Sequence, residues 1–330
     1  MTIVKQAYEQ LMQGKLLNKQ QALDLADAPL DELTQTANDI RAAFCGNGFD
    51  ICTIINAKSG TCSENCKFCA QSAHYCTRTE TYALLPSKEI AEHACYNERS
   101  GVLRYSLVTS GRKLSDTEVE EECRAIRYVR EKSSIAICIS NGLLDESAYR
   151  KLREAGVVRV HNNLETSRRN FPNVCTTHTY DDKCNAIRAA QRAGLSVCSG
   201  GIVGMGETME DRIDMVLELR ELGVRSVPVN LLNPIPGTPY EARTPLTNDE
   251  FCRIVAIFRF LIPDASIRLA GGRGLLPDAG RKCFCSGANA AISGDMLTTS
   301  GITIQTDLAM LRELGYVPQR CHDSDTTCSH

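Results

Sequence analysis

The chain has 330 residues, with 37 lysines and arginines against 40 aspartates and glutamates and a formal charge of −3. That balance offers no basic excess for nucleic acid, and no run reaches the ~18 consecutive apolar residues of a membrane span. Residues 1–20 mix Lys5, Glu9, Gln10 and Lys15 with apolar residues and lack the continuous apolar stretch of a secretory signal, so a cytoplasmic location is expected. Seventeen cysteines, an odd number in a long chain without that signal, point to metal or redox chemistry rather than to a disulfide framework.

In chain order, residues 1–48 read as a helical extension, clearest at 5–13 and 31–43. From about residue 50 to 300, extended β-branched segments alternate with helical ones. Strands are expected at 51–57, 102–109, 134–140, 157–163, 195–203, 226–232, 265–270 and 288–293. Helices are expected between them, at 116–132, 146–155, 181–193, 208–222 and 248–260, several opening on an Asp, Asn or Thr suited to an N-cap. Such alternation predicts a parallel sheet with right-handed crossovers. Eight units predict an α/β fold of (β/α)8 TIM type over residues 49–317, with a doubly wound open sheet as the alternative. Residues 318–330, which include Cys321 and Cys328, are polar and are expected to form a flexible tail without chemistry.

The sharpest motif follows the first strand: Cys62-Ser63-Glu64-Asn65-Cys66-Lys67-Phe68-Cys69, preceded by Ser59-Gly60. Three thiolates on one short loop suit three corners of a 4Fe-4S cluster and leave its fourth iron without a protein ligand. A zinc loop is the alternative, but zinc calls for a fourth ligand, which His74 could offer. Further along, Gly200-Gly201-Ile202-Val203-Gly204-Met205-Gly206-Glu207 puts glycines at a strand end, where backbone can approach a flat ligand.

The triplet, with an aromatic Phe68 between its last two cysteines, resembles the radical S-adenosylmethionine (SAM) superfamily. In that superfamily the open iron chelates the amino-acid end of SAM, and a Gly-x-Ile-x-Gly-x-x-Glu segment such as Gly200, Ile202, Gly204 and Glu207 lies beside the adenine. Other stretches between residues 45 and 300 are similar to the biotin synthase family: His161 to Ser167, Val197 to Gly204, Val227 to Asn230 with Gly237 to Pro239, Ile267 to Leu269, and Gly287 to Asn289. The resemblance implies a sulfurtransferase that cleaves SAM reductively to a 5′-deoxyadenosyl radical and inserts sulfur into dethiobiotin to form biotin. It also implies an auxiliary iron-sulfur cluster as sulfur donor, a low-potential flavodoxin or ferredoxin as reductant, iron-sulfur assembly machinery as a partner, a homodimer and an anaerobic setting. Residue by residue, Asn163 and Glu165 fall where the family has an Asn and an Asp that contact substrate and SAM ribose. Lys183 stands where an Arg commonly meets the SAM carboxylate, keeping the charge but not the bidentate fork. Asn230 matches the residue at the substrate ureido group.

The auxiliary site departs from the family pattern. Cys138, Cys198 and Arg268 match three of its usual four ligands, but the second-strand cysteine is replaced by Ser106, a poor iron ligand. Cys52, on the first strand where the family usually carries a serine, is expected to take over. The set Cys52, Cys138 and Cys198 would then hold a four-iron auxiliary cluster, leaving one corner for Arg268 or an extra sulfide. Cys283 and Cys285 are competing ligands, placed by their position before strand eight at the other end of the barrel. Two other readings stand beside this one. Another radical SAM enzyme, such as a metallocofactor maturase, would not turn over dethiobiotin, and a non-catalytic iron-sulfur carrier would not bind SAM.

Overall fold

The computed structural model of the chain describes residues 1–322. Helices α1 (Ile3–Met12), α2 (Lys19–Asp24) and α3 (Leu30–Cys45) form the extension. The barrel then runs β1 (Gly48–Lys58), α4 (Ser87–Arg99), β2 (Arg104–Thr109), α5 (Asp116–Arg130), β3 (Ala136–Ser140), α6 (Glu146–Ala155) and β4 (Val157–His161). It continues through α7 (Phe171–Val174), α8 (Tyr180–Arg192), β5 (Ser196–Cys198), β6 (Gly201–Val203), α9 (Met209–Glu221) and β7 (Ser226–Leu231). Last come α10 (Asn248–Leu261), β8 (Ser266–Leu269), α11 (Arg281–Phe284), β9 (Ala290–Ile292), α12 (Ile304–Glu313) and β10 (Val317–Pro318).

All pairings between barrel strands are parallel, and β9 pairs back onto β1, so the sheet closes. The open-sheet alternative is thereby excluded. Local chemistry starts the helices where expected: Ser115, Thr179, Thr208 and Thr247 cap α5, α8, α9 and α10, each in a reciprocal box with the acidic residue three positions on. Helix α3 packs on α10 and α2 on α9, so the extension covers part of the outer helical ring. Among the described residues no helix is long and apolar enough to cross a membrane.

Two expectations change. The single strand foreseen at 195–203 is broken at Ser199–Gly200 into β5 and β6, although both pair with β7 in the same register. The break falls opposite Pro228, which has no N–H to give to the ladder. A Cβ on Gly200 would lie 1.9 Å from the Pro228 carbonyl oxygen, so only glycine permits this approach.

The expected flexible tail starts with anchored residues. β10 pairs with Gly48 and Phe49, Arg159 Nη2 donates to the carbonyls of Cys321 (2.6 Å) and His322 (2.9 Å), and Arg104 Nη2 donates to Cys321 O (3.0 Å). These buried guanidiniums need acceptors, and the chain end supplies them across the N-terminal end of the barrel. Cys328 lies outside the described residues.

Candidate active site

The cysteine loop is built by short turns at the C-terminal end of β1. Cys62 N donates to Gln71 O (3.0 Å), Ala73 N to Cys62 O (2.8 Å) and Cys69 N to Cys66 O (3.0 Å). A clasp from the β4–α8 connection holds it. Lys67 N donates to Val174 O (3.0 Å), and the Asn65 side chain accepts from Thr176 N (2.9 Å) and donates to Thr176 Oγ1 (2.7 Å). Burial pushes the Cys69 thiol up to about 11. Cys66 is pushed up by the hydrogen bond it gives to Cys175, and Cys175 is brought down to about 3 by accepting it. His74, the expected spare ligand, instead places its Nε2 3.0 Å from the Ser63 carbonyl. Three thiols on one loop, with no fourth ligand from that loop, match the donor set of an open-cornered cluster.

Beside the loop, Phe68 and Ile202 pack on an apolar group made of Val174, Met205, Leu232 and Tyr240. The turn after β6 is fixed by Glu207, which accepts from Gly204 N and Met205 N, both at 2.8 Å, and from Arg212 Nε at 2.7 Å. Phe68 and Ile202 thus give the cavity mouth an apolar wall suited to a flat heterocycle. Glu165 sits at the end of β4 with φ 71°, a backbone region unfavourable for Glu, held there because its N–H reaches Gly200 O (3.1 Å) and its carbonyl accepts from Ile202 N (2.9 Å). Burial raises its carboxyl. Asn163 accepts from Gly200 N (3.0 Å) and donates to Glu165 (3.3 Å), and Lys183 Nζ reaches Asn162 Oδ1 (3.3 Å). Asn230 donates to Gly201 O (3.0 Å) and accepts from Gly271 N (2.8 Å). Both amides thus brace β6 while facing the cavity.

That cavity, about 350 Å³, runs along the barrel axis. Its lining joins Phe68, Cys69, Asn163, Glu165, Ile202 and Asn230 at the mouth to Cys52, Cys138, Cys198 and Arg268 below. Lys183, Gly200 and Gly204 are not part of the lining.

The lower four side chains occupy one layer, as the register shows. Cys52 lies opposite Arg104, and Arg104 opposite Ala136, two residues before Cys138. Cys138 pairs with Arg159, and Arg159 with Ser196, two before Cys198. Cys198 pairs with Ser226, and Ser226 with Ser266, two before Arg268. Arg268 pairs with Ala290, and Ala290 with Asp50, two before Cys52. A climb of two residues for every two strands is the stagger of an eight-stranded barrel, in which alternate strands fill each layer with four side chains. Cys52, Cys138, Cys198 and Arg268 are such a layer. Ser106 and His161, on the strands between, belong to the layer above.

The electrostatics there favour a thiolate at Cys198 and oppose one at Cys52 and Cys138 while the layer holds protein groups alone. Asp50, completely buried, receives Arg104 Nε at 2.9 Å, Arg268 Nη2 at 3.3 Å and Arg159 Nη1 at 3.5 Å. Burial opposes its ionisation, but Arg268, Arg104 and Arg159 outweigh that and hold the carboxyl down at about 2. Arg268 Nη1 donates to Cys52 Sγ at 3.2 Å. Burial pushes Cys52 up to about 12 and also raises Cys138. For Cys198 burial works the same way but is overcome by the hydrogen bond and charge of His161, which bring the thiol down to about 6. Cys283, by contrast, packs 3.3 Å from Cys252 Sγ, and neither it nor Cys285 lines the cavity.

Sequence reasoning missed His161, Asp50, Arg104, Arg159, Cys175 and His178. For Asp50 and Arg104 a signal existed, since each stands two residues before a site position on its strand and so shares its inward face. For Cys175 and His178 none did, because their neighbours on the cysteine loop are more than a hundred residues away in sequence.

Residues 57–219 match the Radical SAM superfamily, and residues 228–317 match the Biotin and Thiamin Synthesis associated domain. A protein named biotin synthase from Brachyspira hyodysenteriae is 59% identical over 308 residues, covering 93% of this chain and 92% of the relative. One of the same name from Akkermansia muciniphila is 56% identical over 316 residues, covering 96% and 98%. Among solved structures, methylornithine synthase (PylB) superposes with a TM-score of 0.81 at 21% identity, over 95% of this chain and 97% of that one. The FeFe-hydrogenase maturase HydG from Carboxydothermus hydrogenoformans gives 0.81 at 16% identity, over 97% and 80%. At such identities these two likenesses show the shared barrel alone.

Proposed function

The chain belongs to the biotin synthase family, and from that premise we propose that its sulfur transfer runs between two sites stacked along one barrel. It is a radical SAM enzyme that inserts sulfur to form biotin. In our reading Cys62, Cys66 and Cys69 hold the 4Fe-4S cluster that meets SAM, and Cys52, Cys138 and Cys198 hold a four-iron auxiliary cluster. When bound, the first cluster supplies the electron that cleaves SAM, and the second supplies the sulfur.

The chain's own residues do the positioning. Phe68 and Ile202 take the adenine between them, Glu165 accepts from the ribose hydroxyls, and Lys183 neutralises the SAM carboxylate. Asn163 and Asn230 face the cavity with amides already fixed by backbone partners, so the dethiobiotin ureido ring meets oriented groups. The enclosed lining keeps water from a reactive radical. Arg268, paired with Asp50 and donating to Cys52, lies in the auxiliary layer, where the corner left by three thiolates would go to Arg268 or to an extra sulfide. Electrons would come from a low-potential flavodoxin or ferredoxin, and both clusters from iron-sulfur assembly machinery.

The observation that carries this reading is the single layer formed by Cys52, Cys138, Cys198 and Arg268. Anaerobic iron analysis with Mössbauer spectra, on the intact protein and Cys52→Ala, tests it alongside biotin formation from dethiobiotin and SAM. About eight irons per chain should fall to about four in the variant, with biotin lost and SAM cleavage kept. A two-iron signal indifferent to the substitution would overturn the relocated ligand.

A further inference from the structure

Two buried ligating side chains, Cys175 and His178, have no part in the reaction described above and lie against one loop cysteine, Cys66. Cys66, Cys175 and His178 bring a sulfur, a sulfur and a ring nitrogen within 4.8 Å of one another. Cys175 Sγ lies 3.3 Å from His178 Nδ1, and the Glu64 carboxylate lies 2.5 Å from the same nitrogen. The ring is nearly inaccessible, and its other nitrogen, Nε2, is buried with no hydrogen-bond partner among the described residues. Its Nδ1 edge is therefore what holds the ring in place.

We propose that in the chain before its loop cluster is assembled, Cys66, Cys175 and His178 bind one divalent ion of zinc type, His178 through Nδ1 in place of its hydrogen bond to Glu64. Tetrahedral zinc, with Zn–S near 2.3 Å and Zn–N near 2.0–2.1 Å, puts a sulfur and a nitrogen ligand about 3.5 Å apart and two sulfurs about 3.8 Å apart. The observed spacing needs adjustments of a few tenths of an ångström at the Cys175–His178 pair. Cys66 and Cys175 sulfurs within 4.8 Å of one another suit one shared ion better than two irons of a cubane, each of which takes its own thiolate. Two thiols and an imidazole are donors that zinc prefers and that hard cations such as magnesium do not.

The cradle exists before any metal arrives. Asn65 fastens residues 176 and 177 to the loop, Thr177 Oγ1 donates to Glu64 Oε2 (2.7 Å), and Arg112 Nη1 donates to Thr177 O (2.7 Å). Cys175 is thereby kept against Cys66 by contacts that do not involve either sulfur. Because Cys66 is also assigned to the loop cluster, a step that rests on the reading above, the ion and the cluster exclude each other. Zinc then guards a loop thiol and blocks cluster assembly until it is withdrawn.

The test uses the full-length chain, cluster-free and reduced under anaerobic conditions, titrated with Co2+ and competed with Zn2+. The expected result is one tightly held Co2+ with thiolate-to-cobalt charge-transfer absorption. Its affinity should fall in Cys175→Ala and His178→Ala by more than the ~10–100-fold that loss of an outer-shell partner brings. Binding should persist in Cys62→Ala and Cys69→Ala. If the alanine variants fail to fold, Cys175→Ser and His178→Gln, matched to the parent by circular dichroism, carry the same expectation. Absence of a bound ion overturns the site, as does binding that needs Cys62 and Cys69 but ignores Cys175 and His178. Reconstitution of zinc-loaded protein reads the exclusion separately. A cluster that forms at the parent rate with zinc retained overturns the shared use of Cys66 and leaves the ion site standing.

Discussion

Asp50→Asn removes the one negative charge at the centre of the guanidinium group under the auxiliary layer. Asp50 is fully buried, and Arg104, Arg159 and Arg268 lie within 3.5 Å of its carboxylate. Its carboxyl is held at about 2 against an ordinary 3.8, which corresponds to about 2 kcal/mol favouring the charged, folded form. Asparagine keeps the shape but leaves buried cations unbalanced, a situation that costs about 3–5 kcal/mol. Equilibrium urea unfolding of the cluster-free chain at pH 7 should therefore show a loss of that size. A carboxyl whose folded value is lowered contributes in full above the unfolded value and loses its contribution as pH falls through the folded one. The gap between parent and variant should accordingly narrow as pH falls from about 4 to about 2, on top of the acid titration that both share. Hydrogen exchange at residues 317–322 gives a local readout, since Arg104 and Arg159 also tie down Cys321. A loss below about 1 kcal/mol, with the chain end still protected, would refute the view that Asp50 organises this end of the barrel.

Glu122, fully buried in α5 beside Asn141, is pushed by burial up to about 8; Glu122→Gln should be nearly neutral at pH 4 and stabilise by up to about 4 kcal/mol above pH 8, read by urea midpoints across pH. Gly200→Ala should cost more than ~3 kcal/mol or abolish soluble expression, because the Pro228 carbonyl cannot move aside; Gly223→Ala, with open space but φ +70°, should cost only ~1–2 kcal/mol. Phe68→Ala should raise the dissociation constant for SAM about ten-fold, the worth of one aromatic–base stack, measured calorimetrically with the iron content unchanged.

The barrel was legible in the sequence because each βα unit announces itself locally, by β-branched runs and by Ser or Thr caps. The loop triplet was legible for the same reason, its three thiols being eight residues from first to last. What escaped was set by contacts across the chain. Pro228 breaks a strand on its neighbour, the Cys321 carbonyl completes two arginines more than a hundred residues away, and Cys175 and His178 reach the cysteine loop from the far side of β4. Residues 318–322 carry too little hydrophobic pattern to signal their place, because backbone carbonyls hold them there.

For the proposed auxiliary site, a cysteine at position 52 and a serine at position 106 have a geometric meaning that the register makes plain. A cysteine at position 106 would share a layer with His161, one level above Cys138, Cys198 and Arg268. A cysteine at position 52 lies level with all three, and Arg268 already donates to its sulfur. The proposed ligand set with Cys52 would therefore lie in one layer, where a set with a thiol at position 106 would be spread over two. That arrangement also places a small hydroxyl at Ser106 and the imidazole of His161 on the mouth side, on the strands flanking Cys138. The auxiliary layer then meets the cavity through a neutral hydroxyl and a hydrogen-bonding ring in place of a third-strand neighbour's thiolate. Were the auxiliary cluster held in this layer, as proposed, Ser106 and His161 would stand between it and the mouth of the cavity.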